Sequence, residues 1–110
     1  MNDLLNNIRF SYLYRDYGNY KLFGETIFSN PEKLSLLEIE NQIKAKLIDG
    51  EFFNPEAWGI ERLKFENYNS EQDHDWHEFE RVEFTEENTT ARTTISSLLK
   101  SIEKQIPPCL

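Results

Sequence analysis

The densest chemistry in this 110-residue chain lies in Asp73-His74-Asp75-Trp76-His77-Glu78, which holds both histidines and three carboxylates. Such side chains ligate zinc, manganese or iron and serve as general acids and bases. A small metal-dependent hydrolase using residues 73–78, with Asp73, Asp75 and His77 as its working set, is therefore one reading. The spacing opposes it. On a strand, Asp73, Asp75 and His77 point one way and His74, Trp76 and Glu78 the other, so the histidines diverge. On a helix His74 and His77 share a face, but His-x-x-His-Glu is not the zincin pattern. The plainer expectation is a solvated loop running into an edge strand, with Trp76 in the core. No metal, cofactor or catalytic residue is assigned.

Other chemistries have less to stand on. Cys109 is the one cysteine and follows two prolines near the end of the sequence, with no scaffold to set a base beside it. No G-x-S-x-G, G-x-x-x-x-G-K or G-x-G-x-x-G occurs. Asn88-Thr89-Thr90 matches a glycosylation sequon, but Met1 to Leu5 carry an acid and no basic stretch, so no secretory signal is expected. Arg9, Arg15 and Lys21 among aromatics could suggest a stacking platform for single-stranded nucleic acid. A chain with 12 basic and 20 acidic residues would repel phosphate overall, so no nucleic acid is expected as a partner.

That charge is unevenly placed. The first 50 residues carry 7 acids and 6 bases, whereas residues 66–87 carry nine acids and only Arg81 as a base. This segment holds as much negative charge as the chain's net −8. A concentrated single-sign stretch steers a basic partner and sets its on-rate. It also keeps a small domain soluble and protects a sheet edge from aggregation.

The elements that would position these residues follow from periodicity. Ile8, Phe10, Tyr12 and Tyr14 alternate with Arg9, Ser11 and Arg15, which predicts a strand over 8–15. Asp16 to Asn19 supply turn chemistry, and 20–28 returns as the second strand of a hairpin. Ser35 and Glu38 have capping-box spacing, and Leu36, Ile39, Ile43 and Leu47 extend a helix over 36–48, closed at Asp49-Gly50. Asn54-Pro55 reads as a cap and first position of one short turn ending at Gly59. Strands are expected over 60–68 and 75–84. In the latter, Phe79 has the opposite parity to Trp76, Val82 and Phe84, and a bulge near Glu80-Arg81 reconciles them. Ala91, Ile95, Leu98, Leu99, Ile102 and Ile106 outline a last helix over 91–106.

The order ββα–ββα gives an α+β fold, a four-stranded antiparallel sheet made of two hairpins and packed against two helices. A β-grasp-like arrangement is one realisation. The length fits a single domain over 1–110, and the absence of a long apolar run and the lone cysteine fit a soluble cytoplasmic protein with no membrane partner.

Three blocks carry a resemblance: Tyr14-Arg15-Asp16 with Asn19-Tyr20-Lys21 and Gly24; Asp49-Gly50-Glu51-Phe52-Phe53; and Asp73 to Phe79. Together they resemble a group of small uncharacterised bacterial proteins. The resemblance implies a bacterial cytoplasmic setting and no particular mechanism. It brings Arg15, Asp16, Lys21, Asp49, Trp76 and His77 together as a candidate polar cluster, should the hairpins lie side by side.

By subtraction, the expected function is a non-catalytic protein-binding module of immunity, antitoxin or regulator type. Its acidic face (Asp73, Asp75, Glu78, Glu80 and Glu83, with Tyr68) would dock a basic protein. The competing non-enzymatic reading is a soluble structural subunit or a homodimer joined through the fourth strand's edge.

Overall fold

Alternation does make the first strand. In the computed structural model, which describes residues 7–16, 18–65 and 76–104, β1 (Asn7–Arg15) pairs antiparallel with β2 (Lys21–Phe28). The hairpin turn closes through Asp16, whose carboxylate accepts from the Tyr20 N–H at 2.8 Å, and Asn19 takes a positive φ of 67°. Helix α1 (Leu36–Lys44) starts where the capping box places it, with Ser35 Oγ accepting from the Glu38 N–H at 3.1 Å. It stops at Lys44, short of residue 48, because Ile48 turns away to bridge Phe52. The short helix α2 (Pro55–Trp58) has Asn54 as its cap and ends on Gly59 at φ 70°, as the sequence predicts.

The second half departs from expectation. Residues 60–65 form no strand, and 66–68 lie outside the described residues. The backbone of 60–65 is satisfied differently: the Ile60 N–H bonds Pro55, the Glu61 carbonyl accepts from the Tyr12 hydroxyl at 2.7 Å, and the Leu63 N–H donates to His77 Nε2 at 2.9 Å. With the Ile60 N–H held by the Pro55 carbonyl and the Glu61 carbonyl and Leu63 N–H taken by side chains of β1 and β4, the segment runs along the sheet's inner face and forms no ladder. The strand beside the fourth is instead β3 (Phe52–Phe53), too short to leave a periodic signal. Among the described residues there is thus one hairpin, no β-grasp-like pair of hairpins, and three helices in the order ββαβαβα.

The fold is α+β with a four-stranded antiparallel sheet in the order β2-β1-β4-β3. Strand β4 (His77–Thr85) pairs along β1 and is flanked on its other side by β3 only at His77 and Glu78. It is therefore interior at its start, while among the described residues no strand pairs with its far side from Glu80 on. The register shifts where Ser11 faces Arg81 and Tyr12 faces Phe79, leaving Glu80 as the extra residue of the expected bulge. The bulge turns His77, Phe79 and Val82 to one face, so the core residue at the strand's start is His77, fully buried, while Trp76 is only half-buried.

That inner face holds Ile8, Phe10, Tyr12 and Tyr14, all nearly inaccessible. Phe10 sits at the centre, its ring 5.3 Å from Phe79, 5.6 Å from Phe53 and 5.8 Å from Tyr12. Ile39 and Ile43 of α1 join this core, as do Ile95, Leu98, Leu99 and Ile102 of α3 (Ile95–Glu103). Thr94, not Ala91, opens α3, because its hydroxyl accepts from the Ser97 N–H at 3.1 Å. Leu36, Phe52, Phe65 and Val82 are half-buried, whereas Phe53 is buried. Among the described residues no helix is long and apolar enough to cross a membrane.

Candidate functional site

Because α1 and α3 both pack on the inner face, the opposite face of the sheet carries the polar half of each strand's alternation. Arg9, Ser11, Leu13 and Arg15 of β1 line it, beside Lys21, Phe23 and Glu25 of β2 and Glu78, Arg81 and Glu83 of β4. Arg9 is the hub. Its Nη1 donates to Glu83 at 2.9 Å, its Nε lies 3.2 Å from Glu25, and its other Nη is paired with Glu87. Arg81 binds Glu83 at 3.0 Å and Glu80 at 3.4 Å. Arg15 reaches Glu78 at 2.8 Å and the Asn19 side chain at 2.7 Å.

Each contact biases the charges it joins. Hydrogen bonding from Arg81, and then from Arg9, holds the Glu83 carboxyl below its ordinary range against a partial desolvation cost. The Glu78 hydrogen bond raises Arg15, and the Glu83 hydrogen bond raises Arg81. Among the described residues, five carboxylates (Glu25, Glu78, Glu80, Glu83 and Glu87) thus meet three guanidiniums, and with Lys21 as a fourth cation on the same face the surplus is one negative charge. The acidity of β4 is real but largely paired within the chain.

The proposed docking residues Glu78, Glu80 and Glu83 therefore share one face, whereas Asp73, Asp75 and Tyr68 lie outside the described residues. The candidate polar cluster is brought together only in part. Arg15, Asp16 and Lys21 sit at the hairpin tip, with Arg15 facing Lys21 across the ladder. Asp49 is exposed in the turn after α1, and among the described residues no hydrogen bond or ion pair joins it to those three.

His77 is the clearest departure from its expected role. Its ring lies 5.1 Å from Tyr14, 6.0 Å from Tyr12 and 6.1 Å from Phe53, with no exposed surface. Its Nε2 accepts the Leu63 N–H at 2.9 Å, so that nitrogen is engaged within the fold. Among the described residues no group of three or more histidine, cysteine or acidic side chains could hold a metal ion. Asp73, His74 and Asp75 lie outside them.

Sequence reasoning missed two features. One is Arg9 as hub of the ion-pair network, although its parity already set it opposite the aromatic face. The other is a groove of about 690 Å³ bordered by Glu25 and Thr26 of β2, Glu56 to Gly59, Thr90 to Thr93 and one side of α3. Its walls come from four separate stretches of chain, so no local pattern announces it. No protein-family model matches the chain, and neither a curated protein nor a solved structure is found to match it.

Proposed function

We propose that the protein is a non-catalytic binding module that docks a basic protein on the face of its sheet opposite α1 and α3, an arrangement that suits an immunity, antitoxin or regulator role. One observation carries this reading: the carboxylates of Glu25, Glu78, Glu80, Glu83 and Glu87 converge on that face in excess of the arginines that hold them. Ion pairing fixes the carboxylates in place, so a partner's Lys or Arg meets acceptors whose ordering entropy is already lost. Each carboxylate has further lone pairs to offer after pairing one arginine. Excess charge accelerates encounter, and apolar contact with Phe23 and Tyr20 would slow release.

A pull-down from the native host tests it, using the wild-type chain and a Glu80→Gln/Glu83→Gln variant. The expected result is a basic protein held at low salt, then lost with the variant and at raised ionic strength. Retention of the same partners at undiminished yield in both conditions would refute electrostatic docking on this face.

A further inference from the structure

Strand β2 is an edge of the sheet, and its free side is only partly covered. The 90–91 segment clasps one end: the Thr90 and Ala91 N–H groups donate to the Ile27 carbonyl at 2.9 and 3.0 Å, and Thr90 Oγ1 accepts the Ile27 N–H at 2.9 Å. Ile27 thus points its backbone groups away from β1, and by the antiparallel alternation so do Glu25, Phe23 and Lys21. Among the described residues those three have no backbone partner on the free side. At the other end, the turn closed by the Asp16 and Tyr20 backbones marks the limit of the strand. What remains is a five-residue open edge, with Phe23 in its middle at 64 % exposure. Sheet edges of this kind are normally blunted, and an exposed ring at the centre of one is a liability unless something pairs with it.

We infer that this edge pairs with the same edge of a second copy, joining two four-stranded sheets into one through an antiparallel β2–β2 contact centred on Phe23. The sequence is complementary to itself about that point. With Phe23 opposite its own copy, Lys21 faces Glu25 and Glu25 faces Lys21, so each outer pair brings opposite charges together beside a central pair of rings. All outward N–H and C=O groups of Lys21, Phe23 and Glu25 find partners in this register. Moving the centre one residue toward Thr26 sets Lys21 against Ile27, whose backbone the clasp already occupies. Moving it toward Tyr20 sets Lys21 against Phe23 and leaves Glu25 facing the turn. Only the Phe23-centred register uses the whole open edge. Leu13, which faces Phe23 across the β1–β2 ladder, supplies apolar surface beneath the rings. The contact is small by the standard of stable dimers, which places its Kd on the order of micromolar. It also makes the two ion-paired faces continuous across both copies.

Charge reversal tests the register. Sedimentation velocity of the full chain over a concentration series should show a reversible monomer–dimer equilibrium. Lys21→Glu alone and Glu25→Lys alone each set like charges against each other at both outer pairs, so each should weaken self-association about tenfold or more. An equimolar mixture of the two single variants should associate as the wild type does, because both outer pairs are then opposite in sign. The double variant Lys21→Glu/Glu25→Lys should also recover, and circular dichroism confirms that each variant is folded. Phe23→Asp gives a second, independent loss. A wild-type chain that stays monomeric throughout the series overturns the inference. So does a dimer that all these variants leave equally strong, or a mixture of single variants that fails to associate.

Discussion

The Tyr12 hydroxyl donates to the Glu61 carbonyl at 2.7 Å while its ring is closed in between Phe10, Phe53 and His77. Burial pushes this phenol up from 10.0 to about 12. The sign follows directly. The folded state keeps the proton over a range where the unfolded chain has lost it, so the contribution is complete below pH 10 and disappears as pH rises toward about 12. Tyr12→Phe should cost about 1 kcal/mol at neutral pH, by leaving the Glu61 carbonyl unpaired. It should also flatten the alkaline fall in Tm, and parallel melting curves for the two proteins from pH 8 to 12 would contradict this. At the same scale, His77 shows how a residue's chemistry can mislead. Its type and its acidic neighbours suggest a ligand, yet its parity with Phe79 already put it on the core side of the bulge. Its partner, the Leu63 N–H, comes from a segment that reads as a strand and so could not be anticipated.

Elements with a local cause were legible in the chain. Ser35 with Glu38 starts α1, and Asn54-Pro55 with Gly59 bounds α2, because each cap needs only residues within one turn. The bulge in β4 was legible from a break in parity. What could not be read was the pairing of β4 with β1, which joins Ile8 to Phe84 across nearly the whole chain. That pairing builds the arginine–carboxylate network and gives it a measurable pH dependence. Glu83 lies below its ordinary 4.5, so its contribution is complete above that value and is lost as pH falls through the lower folded-state value. Glu83 is about one-third exposed, so at neutral pH Glu83→Gln should destabilise by no more than about 1 kcal/mol. The gap in Tm between wild type and variant should shrink as pH is lowered from 6 to 2, and shrink also at high salt. A gap that stays constant with pH would show that the network contributes through shape alone.

The whole molecule is organised around β1, which has a neighbour on each side, while its two outer strands are unequal: β2 is long and half open, β3 only two residues. Hydrogen exchange should report this inequality. The inner strand is bonded on both sides and sits over Phe10 and its ring neighbours, so its amides should open only with global unfolding. Among the described residues the outward amides of Phe23 and Glu25 have no partner on their side in a single copy, whereas Ile27 is held by Thr90. In dilute protein, Phe23 and Glu25 should therefore exchange fast, while Gly24, bonded toward β1 between them, is protected. Raising the concentration through the range where the second copy binds should slow Phe23 and Glu25 together and leave Ile27 unchanged. Lys21→Glu should remove that concentration dependence without altering the slow amides of β1. If Phe23 and Glu25 are already protected in dilute monomer, another part of the chain covers the edge, and the β2–β2 contact could form only by displacing it.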